Sequence, residues 1–258
     1  MRIPFHTDNV DYDEGFYQAN NRYSSTTPEQ VFSILFRYFD IESVCDVGGG
    51  AGVWIGNFLK IKGVKEEDDA DVLCIDGDYI KEDMLQMPSK YFRTANLEER
   101  IDLEGRRFDL AMTLEVAEHL SPKRADSFVE DLTRLSDVVL FSAAIEGQGG
   151  IHHVNEQYMP YWVEKFGNHG YRPFDLIRPE IQFCTDIPWY YRQNMIVFVN
   201  EKSEYYDLLV NKYHAYPPLQ RMVSIECFEG SFKLMKRLRS SKLNVIFSKL
   251  TRKKDLPK

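Results

Sequence analysis

The sequence predicts an α/β protein: a doubly wound sheet of seven strands, mostly parallel, with a helical appendage at the C-terminal end. Three observations carry that expectation. Four short apolar runs at 43–47, 71–75, 108–114 and 137–142 are rich in Val, Leu and Ile and hardly alternate with polar residues, as strands buried on both faces do. A fifth short run at 91–94 fits a further strand. Helix-like stretches at 53–61 and 122–135 lie between the runs, so successive strands return through right-handed crossovers. Two later extended segments, 171–177 and 195–199, complete the seven as an antiparallel pair at the far edge.

The remaining elements follow in chain order. Thr27-Pro28-Glu29-Gln30 supplies a capping hydroxyl, a proline for the first turn and a glutamine at the capping-box position. Val31, Ile34, Leu35 and Tyr38 then recur at helical spacing, predicting a helix to about Asp40. The charged stretch at 65–69 reads as a solvated loop, and a helix is expected over 155–166, ending near Gly167 and Gly170. The body is expected to span residues 1–200, with a basic helical appendage at 201–258.

Composition narrows the function classes. A chain of 258 residues, 43% hydrophobic and 28% charged, is an ordinary globular protein. No apolar run approaches the roughly 18–20 residues that span a bilayer, and residues 1–18 contain no apolar segment of the secretory type, so a cytoplasmic location is expected. Cys45, Cys74, Cys184 and Cys227 are scattered and read as small hydrophobic residues in a reducing compartment. The net charge of −8 is unevenly spread: residues 201–258 hold 13 Lys+Arg against 6 Asp+Glu, and the first 200 hold 19 against 34. An acidic body is a poor nucleic-acid binder, because that affinity rests largely on phosphate neutralisation. The expected partner is a small-molecule acceptor, not a nucleic acid. The basic tail, with Phe232, Met235, Leu238, Val245, Ile246 and Leu250 among its cations, is expected to dock on the acidic body of its own or a neighbouring subunit in a homo-oligomer. The alternative is contact with an anionic membrane surface.

The most informative local feature is Asp46-Val47-Gly48-Gly49-Gly50-Ala51-Gly52, directly after a buried strand and before a helix. In an open α/β sheet, ligands bind outside the carboxyl ends of the strands, where this loop sits. A phosphate loop needs Gly-Lys-Ser/Thr at its end, but Val53 follows Gly52. A dinucleotide loop needs G-x-G-x-x-G, but the sixth position is Val53 counted from Gly48 and Ile55 counted from Gly50. What remains is D-x-G-x-G-x-G with a carboxylate at the strand tip. That carboxylate opposes a pyrophosphate and favours a cationic ligand such as S-adenosylmethionine, which carries an ammonium and a sulfonium. The second strand ends in Asp76-Gly77-Asp78, and Asp76 can accept both hydroxyls of a ribose. Nicotinamide cofactors use the same device, so Asp76 alone does not separate the two.

DVGGGAGVW, IDGDY, FDLAMTLEVAEHL, LFSAAIEGQGGIHHVNEQYMPYWVEKFGNHGY and IPWYYRQN resemble bacterial class I S-adenosylmethionine-dependent methyltransferases of the type-12/type-23 class, many of them associated with surface-polysaccharide or secondary-metabolite genes. The resemblance covers residues 12–200 and implies a Rossmann-like fold, this cofactor and methyl transfer. Carried over by position, Asp46, Gly48 and Gly50 would hold the methionine end. Asp76, with Gly77 beside it, would take the ribose, Asn96 and Leu97 the adenine, and Glu115 would lie under the sulfonium. The resemblance does not fix the acceptor; the expected reaction is O-methylation of a small hydroxylated or phosphorylated metabolite, a sugar or nucleotide-linked precursor of surface polysaccharide. The alternatives are N- or carboxyl-methylation and a non-catalytic adenosine-binding module.

A hydroxyl acceptor needs a base, and a histidine beside the cofactor suits that task near neutral pH. His152 and His153 both follow the fifth strand; His153 occupies the H-V-N-E-Q position of the resemblance and is the candidate base, the alternative being that it only shapes its loop. Glu115, Glu118 and His119 would share a face if that stretch were helical. Their pattern resembles the divalent-metal site of some ubiquinone-pathway O-methyltransferases, yet it also occurs in metal-free relatives, and no metal is expected. Tyr158, Tyr161, Trp162, Trp189, Tyr190 and Tyr191 are candidates for an acceptor wall, and Arg192 for an acceptor phosphate or carboxylate. Residues 14–25, with Phe16, Tyr17 and Tyr23, are a candidate lid by the same analogy.

Overall fold

A computed structural model describes residues 26–65, 67–211, 223–230 and 233. The chain forms two compact units, Met1–Arg221 and Met222–Lys258. In the first unit the strands are β1 (Val44–Val47), β2 (Val72–Asp76), β3 (Phe92–Thr94), β4 (Leu110–Leu114), β5 (Val138–Ser142), β6 (Tyr171–Phe174) and β7 (Ile196–Asn200). They form one sheet in the order β3-β2-β1-β4-β5-β7-β6. The first five are parallel, and β7 runs antiparallel between β5 and β6. The seven-stranded doubly wound sheet is as the sequence predicts.

The helices are α1 (Thr26–Leu35), α2 (Val53–Lys62), α3 (Ala125–Leu135), α4 (Met159–Asn168), α5 (Arg178–Ile181), α6 (Trp189–Asn194) and α7 (Glu204–Asn211). Alternate residues of each central strand enter different cores, the period-two rule of extended chain. Val44, Cys74, Met112, Leu140 and Val197 pack with α1 and α2 on one face. Cys45, Ile75, Ala111, Phe141 and Phe198 pack with α3 and α4 on the other. This is why β1, β2, β4 and β5 are apolar but for one residue each at or next to the carboxyl end (Asp46, Asp76, Thr113, Ser142): every residue in them is buried. β3, the edge strand, leaves Arg93 and Thr94 exposed. On α3, Phe128, Val129 and Leu132 are fully buried, each burial contributing about 1.5–3 kcal/mol.

Several boundaries differ from the sequence expectation. α1 ends at Leu35 and continues only as turns. Thr27 lies inside its first turn, and its buried hydroxyl has no partner among the described residues, so it is not the cap. α4 starts at Met159, not near Asn155, because the preceding chain is held extended. Val154 N and Asn155 N both donate to the Glu118 carbonyl at 2.9 Å, and Gln157 N donates to Ala144 O at 3.2 Å. Beyond residue 200, α7 still belongs to the first unit. Leu209 is fully buried in the α1/α2-side core and the Tyr205 hydroxyl donates to Asp40 O at 3.2 Å.

In the second unit, residues 225–230 are helical and the Ser224 hydroxyl accepts from Cys227 N at 3.0 Å, capping the turn. The remainder of the tail and the candidate lid at 14–25 lie outside the described residues. No helix among the described residues is long and apolar enough to cross a membrane. Cys45, Cys74 and Cys227 are buried and Cys184 is half-buried, and none of them forms a disulfide among the described residues.

Candidate active site

β1 and β4 are neighbours whose following helices, α2 and α3, pack on opposite faces. Their carboxyl ends are therefore the switch point at which an open α/β sheet binds ligands. A cleft of about 1160 Å³ opens there, walled by the loops after β1, β2, β3, β4 and β5 and by α6.

The glycine loop forms its floor. Gly48, Gly50 and Gly52 have φ of 80°, 55° and 76°, values that suit glycine. At Gly48 the requirement is double, since a Cβ would stand 2.4 Å from Val116 Cγ2. Gly50 N donates to Asp76 Oδ2 at 2.7 Å, so the loops after β1 and β2 share one carboxylate. Asp76 Oδ1 accepts from Gly77 N at 2.6 Å and from the Tyr79 hydroxyl.

Of the residues read from the sequence, Gly48, Gly50, Asp76, Gly77, Asn96, Leu97, Glu115 and His153 all line the cleft. Asp46 does not. It is 2% exposed and lies beneath Gly49, whose Cβ would meet Asp46 Oδ2 at 2.5 Å. Its Oδ2 has no partner among the described residues. Burial, and next the nearby Asp76 charge, push its carboxyl up to about 8. Asn96 spends its side chain locally: its Oδ1 accepts from Glu98 N at 3.1 Å and its Nδ2 donates to Glu99 Oε1 at 3.2 Å.

The chain after β4 is a turn, not a helix, and this redistributes its acids. Glu115 sits at φ 57°, a left-handed conformation that a non-glycine residue adopts only when its surroundings impose it. Asn194 Nδ2 donates to both its carboxylate oxygens (3.1 and 3.2 Å) and Gln148 Nε2 donates to one (3.2 Å). Burial raises its carboxyl above the ordinary range against these bonds. Glu118 is fully buried. Its Oε1 accepts from Ala144 N at 3.1 Å, while Oε2 has no partner among the described residues. Burial, then the Glu115 charge, push it well up.

Glu118 and His119 therefore group with His153. The shared face that a helix would give Glu115, Glu118 and His119 is not formed. Glu118, His119 and His153 each present one potential ligand atom, all within 4.8 Å of one another, a mixed oxygen and nitrogen set that a divalent transition metal could accept. The two imidazoles meet edge to face, centroids 4.8 Å apart. Burial, then the neighbouring His153, lower His119 to about 4, so it is neutral at physiological pH.

The acceptor side is only partly as read. Trp189, Tyr190 and Tyr191 line the cleft, but Tyr158, Tyr161 and Trp162 do not. Trp162 is fully buried against Phe141, and Tyr161 lies under the Lys165 ammonium. Arg192 also stays out of the wall: its guanidinium donates to the carbonyls of Ile187 (3.0 Å) and Gln182 (3.1 Å). Asn194 and Gln193 were not read from the sequence. Their signal was two amides next to a run that is otherwise buried strand, and both are buried. Among the described residues lining the cleft are Asp76, Asp78, Glu98, Glu115 and Glu118 and no Lys or Arg. Such a wall attracts a cationic ligand and disfavours an anionic one.

No protein-family model and no curated protein matches the chain. Solved structures do resemble it. The sugar N-methyltransferase KedS8 from a Streptoalloteichus species aligns with a TM-score of 0.54 at 13% identity, covering 78% of this chain and 98% of that one. DesVI from Streptomyces venezuelae aligns with a TM-score of 0.50 at 13% identity, over 76% and 100%. The methyltransferase domain of bacterial CtHen1 aligns with a TM-score of 0.46 at 21% identity, over 67% and 96%. At these identities the likeness to KedS8 and DesVI establishes the fold.

Proposed function

We propose that this protein is a methyltransferase that moves the methyl group of S-adenosylmethionine to a hydroxyl of a small polar acceptor, a sugar or nucleotide-linked precursor of surface polysaccharide. The observation that carries the reading is the switch-point cleft itself: a glycine loop tied to Asp76, inside an acidic wall without a described cation. A nicotinamide dinucleotide would bring its pyrophosphate against that wall, whereas S-adenosylmethionine brings a sulfonium and an ammonium. The backbone of Gly48 and Gly50 would hold the methionine end. Asp76, with Gly77, would take the ribose hydroxyls, and Asn96 and Leu97 would flank the adenine. Glu115, held by Asn194 and Gln148, would stand near the sulfonium. Asp46 would support the loop from below.

Methyl transfer is an in-line displacement, so alignment supplies much of its acceleration. His153 would take the acceptor proton as the new carbon–oxygen bond forms, with Trp189 and Tyr190 offering aromatic faces to a sugar. A second reading is favoured by the unpartnered Glu118 Oε2: a divalent cation on Glu118, His119 and His153 would lower the pKa of a bound hydroxyl. The sugar N-methyltransferase KedS8 keeps an amine acceptor open as the alternative within the same fold.

The test is binding followed by turnover. Calorimetry should show S-adenosylhomocysteine binding and no NAD binding; the reverse would end the cofactor assignment. Radiolabelled methyl transfer to a pool of glycan precursors should be lost in His153→Ala. Full turnover in that variant would remove the base, and chelator sensitivity reversed by a single metal would favour the cation reading.

A further inference from the structure

The loop after β5 carries a carboxylate whose position follows from neither the cofactor nor the fold. Glu156 Oε2 accepts from Gly147 N at 2.9 Å, and its Oε1 accepts from Gly149 N at 2.7 Å. The same Oε1 lies 2.9 Å from His153 Nδ1. Gly147 and Gly149 have φ of 85° and 74°, which turns both amides onto the one side chain. Gly150 then leaves room for the imidazole, because a Cβ there would stand 2.2 Å from His153 Cε1 and Nε2. Glu156 and His153 are 18% and 13% exposed, so the cluster is largely shielded from water.

The donor inventory decides the proton. Two backbone N–H groups already donate to Glu156, which makes it an ionised acceptor. A carboxylate has no proton to give, so the hydrogen in the contact with His153 belongs to Nδ1. The neutral ring therefore carries its lone pair on Nε2, the nitrogen left for the cleft. Which imidazole nitrogen is protonated is set by the bond that the other makes.

We propose that Glu156 is the positioning residue of the site, fixing His153 as the Nδ1–H tautomer and holding the 147–150 loop in register with it. The inference rests on the proposed role of His153, and it serves that histidine equally as a base or as a metal ligand, since both need a bare Nε2. It also gives the segment Gly147-Gln148-Gly149-Gly150-Ile151-His152-His153-Val154-Asn155-Glu156 one physical meaning. The glycines aim two amides and clear space for one ring, and the glutamate three residues after the histidine collects all three donors.

The experiment reads the tautomer directly, with neither acceptor nor cofactor present. The full-length protein is labelled with ¹⁵N-histidine, the His153 signals are assigned by their loss in His153→Gln, and the neutral ring is observed in wild type, Glu156→Ala and Glu156→Gln. Wild type should show Nδ1 protonated and Nε2 bare. Glu156→Ala, which removes the acceptor, should shift the ring to a mixture or to Nε2–H. Glu156→Gln, whose amide oxygen still accepts, should retain most of the Nδ1–H form. An Nε2–H ring in wild type, or an unchanged Nδ1–H ring in Glu156→Ala, overturns the proposal. The wild-type measurement decides even if a variant fails to fold. In the methyl-transfer assay, Glu156→Ala should lower kcat by about 10- to 100-fold, as loss of a partner that orients a functional histidine does, with S-adenosylhomocysteine affinity within about threefold. Equal losses in binding and kcat would reduce Glu156 to a loop brace. If the tautomer behaves as expected while His153→Ala keeps full turnover, the base reading fails and the positioning stands.

Discussion

Replacing Asp46 with asparagine should change how stability depends on pH more than stability at any one pH. In the unfolded chain this carboxyl ionises near its ordinary value of 3.8, whereas in the fold it stays protonated up to about 8. Unfolding therefore releases a proton across that window. The favourable contribution is fully present below the ordinary value, is lost steadily as pH rises, and is gone once the folded carboxyl also ionises. The slope is about 1.4 kcal/mol for each pH unit, and the whole window has an upper bound of about 6 kcal/mol. Relaxation and water penetration narrow such a shift, so about half that window, with the same slope inside it, is the working expectation. Asparagine is neutral in both states and removes the slope while keeping the shape. Urea unfolding of the ligand-free protein at pH 5, 6, 7 and 8, followed by tryptophan fluorescence, gives the difference between variant and wild type at each pH. That difference should move in favour of Asp46→Asn as pH rises, and any constant offset from packing the amide drops out. Parallel curves would show that Asp46 ionises normally in the fold and would refute the reasoning.

Three other outcomes follow from the same geometry. Gly48→Ala places a Cβ at φ 80° and 2.4 Å from Val116; the left-handed strain alone costs about 1–2 kcal/mol, and S-adenosylhomocysteine affinity measured by calorimetry should fall at least about tenfold as the loop moves. Gly150→Ala collides with the His153 ring and not with the cofactor loop, so kcat should fall by about 10²-fold while cofactor affinity holds, and equal losses in both would count against the placement of His153. Arg192→Ala removes the donors to the Ile187 and Gln182 carbonyls and should cost about 1–3 kcal/mol in unfolding experiments with acceptor KM unchanged; a large rise in KM would return Arg192 to the acceptor site.

Much of this protein was legible in its sequence because local rules set it. Strands flanked on both faces must be largely apolar, and β1, β2, β4 and β5 are, with one polar residue each at or next to the carboxyl end. A loop that turns at the tip of a buried strand needs glycine where φ is positive, and Gly48, Gly50 and Gly52 supply it. Gly48, Gly50, Asp76, Gly77, Asn96, Leu97, Glu115 and His153 could be gathered in advance, several of them through the resemblance, since all lie at strand ends or in the loops that follow and the carboxyl ends of parallel strands converge on one edge.

Tertiary structure decided what depends on contacts far apart in the chain. Asp46 sits at the predicted strand tip, but its side chain points beneath Gly49, a direction no spacing rule contains. Glu115, Glu118 and His119 would share a face only in a helix; the left-handed turn at Glu115 instead sends that residue to Asn194, 79 positions away, and leaves Glu118 and His119 with His153. The start of α4 moved for a similar reason, because Glu118 O takes two backbone donors from the later loop and holds it extended. Arg192 and Trp162 looked available for an acceptor, yet the fold places one on backbone carbonyls and the other in the core. The sequence by itself determined the sheet, the loop and the edge where chemistry belongs, because those follow from backbone geometry and apolar patterning. Only the folded chain determined which acid meets which histidine, because side-chain direction and proton position are set by partners that come together through packing.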